Sequence, residues 1–199
     1  MDSLIELYLN GIKTLFVKSY KTLTYNGFLL IQSLIYIIII KFLEKWINMK
    51  ISLTKGKSEG PTKLNAFDNA LLDADIGNVN LIPVSSMLPP DAQEIPLPKL
   101  EPGEMTNCVL SHQYSDVPGD TISAVIAYAQ AEEMGCVIET KGINKTKQEL
   151  TDEAKFMAEY MIEKRQLEII NYKQIIQTHT VEEKASVVAA LIYHNPRRH

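Results

Sequence analysis

Cysteine and glycine are both scarce in this chain of 199 residues, and their scarcity excludes several kinds of site. Neither of the two cysteines, Cys108 and Cys136, belongs to a Cys-x-x-Cys pair, which argues against a disulfide framework and a thiolate zinc site. We expect both thiols to be reduced, as in a cytoplasmic protein. The nine glycines form no loop of the kind that cradles phosphate groups.

An excess of positive charge is missing as well. The 20 Lys and Arg residues are outnumbered by 24 Asp and Glu residues, and the resulting net charge of −4 argues against nucleic-acid binding. The four histidines show no metal-binding spacing, and no Gly-x-Ser-x-Gly motif surrounds a serine. We therefore predict no metal site, and we keep a serine hydrolase with His179 as its base only as an alternative.

The first 48 residues differ in composition from the rest of the chain. They contain no proline, and they are rich in the residue types that AT-rich codons encode. Residues 22–40 are a run of 19 uncharged residues, which is just long enough to span a bilayer. We interpret residues 1–48 as translated upstream sequence before a true start at Met49. A membrane anchor and a buried soluble helix are the alternatives.

The remaining residues, 49–199, alternate between strand and helix patterns and form the predicted domain. The predicted strands cover residues 50–54, 78–86, 108–114, 121–131, 136–140, 167–176 and 185–193. The predicted helices begin at Leu64 and Lys147, the second behind a capping box formed by Thr146 and Glu149. Two main helices with six to seven strands predict layered α/β or α+β packing.

The most distinctive segment runs over residues 64–90 and contains the pair Ser85-Ser86. Pro83 precedes the pair and two further prolines follow it, a pattern consistent with a constrained backbone. Taken alone, two serines at the end of a strand are typical of an ordinary turn. The pair becomes informative only together with the ordered series of motifs around it.

This series resembles the pyruvoyl-dependent arginine decarboxylases of archaea and some bacteria, over residues 53–193. The shared motifs are Ser58-Glu59-Gly60, LNAFDNALL at 64–72, IGNVNL at 76–81, VSSMLPP at 84–90, IPLPKL at 95–100, SDVPGDTISA at 115–124, Glu139 followed by Gly142, and HTVE at 179–182. Residues 1–48 lie outside the resemblance. The resemblance implies an αββα sandwich that assembles as homotrimers, with larger assemblies left open.

The resemblance also implies a proenzyme that cuts itself between Ser85 and Ser86. The products would be residues 49–85, or 1–85 if the first segment is expressed, and residues 86–199. Attack of Ser86 Oγ on the carbonyl carbon of Ser85 would give an ester, and elimination followed by loss of ammonia would leave a covalently bound pyruvoyl group. This group replaces pyridoxal phosphate and binds the substrate amine as a Schiff base, so neither pyridoxal phosphate nor a metal is expected.

Three further residues take roles from the resemblance. Glu139 matches the proton donor, and we expect apolar neighbours to raise its pKa. Asp68 matches the residue that binds the substrate guanidinium, and Asn80 matches an asparagine beside the pyruvoyl group. Asn80 and Ser86 would be about 20 Å apart on one extended strand. Either the chain bends at Pro83 or the site lies between subunits, and we prefer the second because the family is trimeric.

The implied function is decarboxylation of L-arginine to agmatine and carbon dioxide, for polyamine biosynthesis in the cytoplasm. Membrane attachment through residues 22–40 arises only if residues 1–48 are genuinely expressed. The alternative is a catalytically silent, membrane-tethered binding protein of the same fold. The retention of all five candidate site residues favours the enzyme.

Overall fold

The computed structural model describes residues 49–194, together with four helical residues at positions 32 and 34–36. No helix in this part of the chain is long and apolar enough to cross a membrane. The interpretations of residues 1–48, including the anchor at residues 22–40, otherwise lie outside the described residues.

The chain divides into two units, Met1–Ile47 and Asn48–His199. In the second unit, the described residues form nine strands and two helices. In chain order these are β1 (Lys50–Glu59), α1 (Lys63–Asp73), β2 (Asn80–Pro83), β3 (Met87–Leu88), β4 (Gln93–Glu94), β5 (Met105–Ser115), β6 (Thr121–Gln130), β7 (Gly135–Ile143), α2 (Lys147–Glu163), β8 (Asn171–Thr180) and β9 (Ala185–His194).

Two sheets lie face to face, with one helix on the outer side of each. The strand order is β2-β5-β9-β1-β4 in one sheet and β3-β7-β6-β8 in the other. Helix α1 packs against β1 and β9, and α2 packs against β6 and β7. Apolar side chains such as Ile51, Ile126 and Leu191 fill the space between the sheets. The αββα prediction is confirmed, although the described residues hold nine strands rather than six to seven, because β3 and β4 are two-residue strands among prolines.

Helix α1 lies very close to β1 because both contacting surfaces carry small residues. The helix begins behind its N-cap Thr62 and buries Ala66 and Ala70 against the sheet. A Cβ atom at Gly56 of β1 would clash with the carbonyl oxygen of Ala70, so this approach needs glycine. The opposite face of the helix, which carries Asp68, stays exposed.

Helix α2 and the segment after it differ from the prediction mainly at one boundary. The capping box is confirmed, because Thr146 Oγ1 accepts the N–H of Glu149 and the Glu149 carboxylate accepts the N–H of Thr146. The strand predicted to begin at residue 167 begins at Asn171 instead. Leu167 and Ile169 pack in the cluster between α2 and its sheet, and the strand itself begins only after them.

The strand predicted over residues 78–86 is much shorter, because β2 ends at Pro83. Proline has no N–H with which to extend the ladder. The chain then leaves the five-stranded sheet and joins the four-stranded sheet at Met87, where β3 pairs with β7. The chain therefore bends after Pro83, which is the first of the two alternatives considered for Asn80 and Ser86, although the second was preferred.

Candidate active site

The pair Ser85-Ser86 lies in the short passage between the two sheets, and hydrogen bonds hold this passage at both ends. The Val84 N–H donates to the carbonyl oxygen of Cys108 in the five-stranded sheet at 3.1 Å. The Val137 N–H of the four-stranded sheet donates to the carbonyl oxygen of Ser86 at 2.9 Å. Ser85 is exposed and Ser86 is half-buried, so the pair is accessible although its backbone is fixed.

A third backbone hydrogen bond folds the pair into a tight turn. The Met87 N–H donates to the carbonyl oxygen of Ser85 at 2.9 Å, which closes a three-residue turn with Ser86 at its centre. An attack of Ser86 Oγ on the Ser85 carbonyl carbon would place negative charge on that same oxygen. A donor already bonded there is what an acyl shift requires.

Glu139 lies on the strand whose backbone binds Ser86. Val137 and Glu139 are two residues apart on β7, so their side chains leave the same face, with Cα atoms about 7 Å apart. Glu139 therefore lies two residues along β7 from the residue whose N–H binds Ser86. The Glu139 carboxylate is exposed in the single chain, not enclosed by apolar side chains. Burial, with a smaller contribution from the charge of Glu139, raises the pKa of the Cys108 thiol to about 11.

A cavity of about 420 Å³ is lined by residues near Asp68 and Asn80 along the chain, although neither of these two residues lines it. Leu72, one helical turn after Asp68, and Val79, next to Asn80, both line this cavity. Asp68 and Asn80 are exposed. The Asn80 Nδ2 donates to the carbonyl oxygen of Gly103 at 2.8 Å.

Asn80 begins β2, and Ser86 lies beyond its other end. Asn80 is the first residue of the strand and Pro83 is the last, a distance of about 10 Å, and Ser86 comes three residues later. One chain therefore presents two separate groups. Ser86 is bound by β7, the strand that carries Glu139, whereas Asp68 lies on the exposed face of α1 and Asn80 at the start of β2.

His179, the residue considered as a base for a serine, lies at the other end of the sandwich. On β6, Ile122 pairs with His179, whereas Tyr128 pairs with the residue that binds Ser86. Six residues of strand correspond to about 20 Å. The His179 Nε2 instead lies 2.7 Å from Glu59 Oε1. The structure gives no support to a serine hydrolase that uses His179.

The Glu59 carboxylate holds the turn between β8 and β9. Besides His179, it accepts the backbone N–H groups of Glu182 at 3.2 Å, Glu183 at 3.3 Å and Lys184 at 2.8 Å. Burial alone would raise the pKa of Glu59, but these donors outweigh burial, and the pKa lies below its ordinary value. The two motifs that contain Glu59 and His179 thus have a structural role in this chain.

Tyr193 is a neighbour of the serine pair that the sequence did not identify. It lies near the end of β9, and its Oη donates to the carbonyl oxygen of Met87 at 3.1 Å. Burial, with a smaller contribution from Cys108, raises the pKa of Tyr193 to about 12, so the hydroxyl remains a donor. The available signal was a tyrosine at the end of a strongly apolar strand, because a buried tyrosine hydroxyl usually needs a partner.

Metal-ligating side chains do not cluster in the part of the chain that the structure describes. No group of three or more His, Cys, Asp or Glu residues there could hold a metal ion. Cys108 and Cys136 are both buried and both free.

Comparisons with known proteins agree with the resemblance seen in the motifs. The family model for pyruvoyl-dependent arginine decarboxylase matches residues 50–197. A pyruvoyl-dependent arginine decarboxylase of Methanothermobacter thermautotrophicus is 49% identical over 148 residues, which cover 73% of this chain and 96% of the relative. Proteins of the same name from Methanocaldococcus jannaschii and Pyrococcus horikoshii are 43% and 39% identical, over 70% and 74% of this chain and 86% and 96% of the relatives.

Proposed function

The chain belongs to the pyruvoyl-dependent arginine decarboxylases, a family of enzymes, and we propose that it cuts itself and then converts L-arginine to agmatine and carbon dioxide. The observation that carries this proposal is the turn at Ser85-Ser86. There the Met87 N–H donates to the Ser85 carbonyl oxygen and the Val137 N–H donates to the Ser86 carbonyl oxygen, and the chemistry depends on both oxygens. The agmatine would enter polyamine biosynthesis. The two free cysteines support a cytoplasmic location.

Self-cleavage would begin with attack of Ser86 Oγ on the carbonyl carbon of Ser85. A C–O bond forms, the C–N bond to Ser86 breaks, and the hydroxyl proton passes to the freed amine, so the peptide becomes an ester. The Met87 N–H stabilises the negative charge on the Ser85 oxygen during this attack. Removal of the Cα proton of Ser86 then expels the Ser85 carboxylate, and addition of water with loss of ammonia leaves the ketone.

The surroundings of residue 86 fit a pyruvoyl group. When present, this group supplies an electron sink for the electron pair that remains after carbon dioxide leaves the substrate. The carbonyl oxygen of residue 86 is retained through self-cleavage, and the Val137 N–H donates to it at 2.9 Å. A hydrogen-bond donor at this oxygen stabilises the negative charge that accumulates there.

Glu139 is the residue we propose as the proton donor. It lies two residues beyond Val137 on the same face of β7, so its carboxyl group can approach the substrate carbon that has lost carbon dioxide. We propose that Asp68 binds the guanidinium group, because a carboxylate can accept two parallel N–H bonds from a planar guanidinium. Asn80 would lie beside residue 86 with its Oδ1 turned to the substrate.

The separation of the two groups supports a homotrimer with its sites between subunits. One arginine molecule has to contact both Ser86 and Asp68, which lie in different parts of the single chain. In a cyclic trimer each interface joins two different surfaces. Ser86 and Glu139 of one subunit would then meet Asp68 and Asn80 of the next.

Protein purified from its own cells tests this proposal through its intact mass and its turnover of arginine labelled at the carboxyl carbon. We expect two chains, the larger one beginning at residue 86 with a blocked amino terminus, together with release of labelled carbon dioxide. A single uncut chain that releases no carbon dioxide would contradict the proposal and favour the catalytically silent binding protein.

A further inference from the structure

Tyr193 connects the centre of the five-stranded sheet to the turn at Ser85-Ser86. It lies on β9, where its neighbour across the strand pair is Ile51. Its ring packs with Val84 against the apolar core between the sheets. Its hydroxyl crosses to the other sheet and donates to the carbonyl oxygen of Met87 at 3.1 Å.

Met87 is the residue whose N–H binds the Ser85 carbonyl oxygen. It belongs to β3, which has only two residues and pairs with β7 on one side. So short a strand fixes its own backbone weakly, because few ladder hydrogen bonds hold it. The Tyr193 hydroxyl supplies a second attachment, from the facing sheet.

We propose that Tyr193 is a positioning residue for self-cleavage, whose hydroxyl fixes Met87 so that the Met87 N–H stays on the Ser85 carbonyl oxygen during attack by Ser86 Oγ. This inference rests on the proposed self-cleavage. Tyr193 takes no proton and forms no covalent bond, because it acts through Met87. The raised pKa keeps its hydroxyl protonated throughout the neutral range, as a permanent donor must be.

The substitution Tyr193→Phe removes this hydroxyl and keeps the packed ring. We expect the first-order rate of self-cleavage, followed by intact mass, to fall roughly 3- to 10-fold, which corresponds to the loss of one ordinary hydrogen bond in the transition state. The matched control is Tyr172→Phe. This substitution also removes a hydrogen-bonded hydroxyl, because the Tyr172 Oη donates to Gln174 at 2.7 Å. The Tyr172 ring, however, packs on the α2 side of its sheet. This control should cleave at the natural rate.

Hydroxylamine separates an effect on ester formation from an effect on the later elimination. It attacks the ester carbonyl of Ser85 and releases a fragment that begins with an intact Ser86, so the cleavage rate in hydroxylamine reports ester formation alone. We expect Tyr193→Phe to remain slower than the natural chain by the same factor. Recovery of the natural rate in hydroxylamine would place the defect in elimination and overturn the inference.

Thermal stability in the uncleavable Ser86→Ala background tests whether Tyr193→Phe slows cleavage only by destabilising the fold. Tyr193→Phe and Tyr172→Phe should lower the thermal midpoint to a similar small extent. A much larger loss for Tyr193→Phe would assign Tyr193 a structural role instead. Natural cleavage kinetics in Tyr193→Phe would overturn the inference and leave the proposed function intact, whereas a natural chain that never cleaves would overturn the proposed function itself.

Discussion

The turn at Ser85-Ser86 and the surface that carries Asp68 and Asn80 are built in different ways. Backbone hydrogen bonds from both sheets hold the turn, so its geometry exists in a single chain before a substrate arrives. Asp68 and Asn80 are exposed, and among the described residues no backbone of the facing sheet encloses them. Under the proposed function, one chain would prepare its own bond-breaking chemistry, whereas recognition of the substrate would need a second surface.

Loss of the attacking hydroxyl should have the largest effect. In Ser86→Ala no oxygen can attack the Ser85 carbonyl carbon, so we expect one uncut chain and no arginine turnover. Denaturing electrophoresis and intact mass measure the outcome, with Ser123→Ala as a control serine on β6. A Ser86→Ala protein that still separates into two chains would exclude Ser86 as the nucleophile.

Loss of the proton donor should separate chemistry from maturation. Glu139→Gln keeps the size of the side chain but cannot deliver an acidic proton, so we expect turnover to fall about 10²- to 10⁴-fold in the cleaved protein. Borohydride trapping with labelled arginine should still mark the chain that begins at residue 86. Near-normal turnover of cleaved Glu139→Gln would remove Glu139 from the mechanism.

Loss of the guanidinium partner should affect recognition alone. Asp68→Asn removes one charge-assisted interaction worth about 1.5–3 kcal/mol, so kcat/KM for arginine should fall roughly 10- to 100-fold while self-cleavage keeps its natural rate. Asp152→Asn, an exposed aspartate of α2, is the matched control. Equal slowing of cleavage and turnover would mean that Asp68 supports the fold and not the substrate.

Mixed assemblies test whether the two groups meet between subunits. Co-expressed Glu139→Gln and Asp68→Asn chains can form an interface that joins a natural Glu139 to a natural Asp68. For random mixing in a cyclic trimer, about a quarter of the interfaces would be fully natural, and turnover should exceed the mean of the two parents several-fold. Turnover equal to that mean would show that each site is made by one chain.

The sequence predicted the main helices and long strands because the signals it used are local, whereas the αββα order of the layers came from the family resemblance. The capping box at Thr146 and Glu149 is complete within four residues, and the long strands of both sheets alternate or run apolar along their own length. The motif around Ser85-Ser86 predicts a cleavage site from the same kind of local signal, and that site stays a prediction. Each of these predictions needed only neighbours along the chain.

The parts that sequence reasoning missed depend on partners far along the chain. The strand β3 exists only because Met87 pairs with Cys136 of β7. The hydrogen bond of Tyr193 joins residues 106 positions apart. The predicted strand over residues 78–86 was too long for the same reason, because the passage after Pro83 connects two sheets that local patterns do not relate to each other.

The smallest effect is expected at Glu59, at the end of the sandwich remote from Ser86, where a change should alter stability and leave the chemistry untouched. The folded-state pKa of Glu59 is depressed, so its stabilisation is present above the unfolded pKa and is lost as the pH falls through the folded pKa. In the uncleavable Ser86→Ala background, Glu59→Gln should therefore lower the free energy of unfolding by about 1–3 kcal/mol at neutral pH, and by progressively less below pH ~4. Urea titrations at fixed protein concentration measure this difference, and Glu183→Gln is the control, because only the backbone of Glu183 binds Glu59. In the cleavable chain, the Glu59→Gln variant should undergo self-cleavage at the natural rate. A slower cut would show that the two ends of the sandwich are coupled.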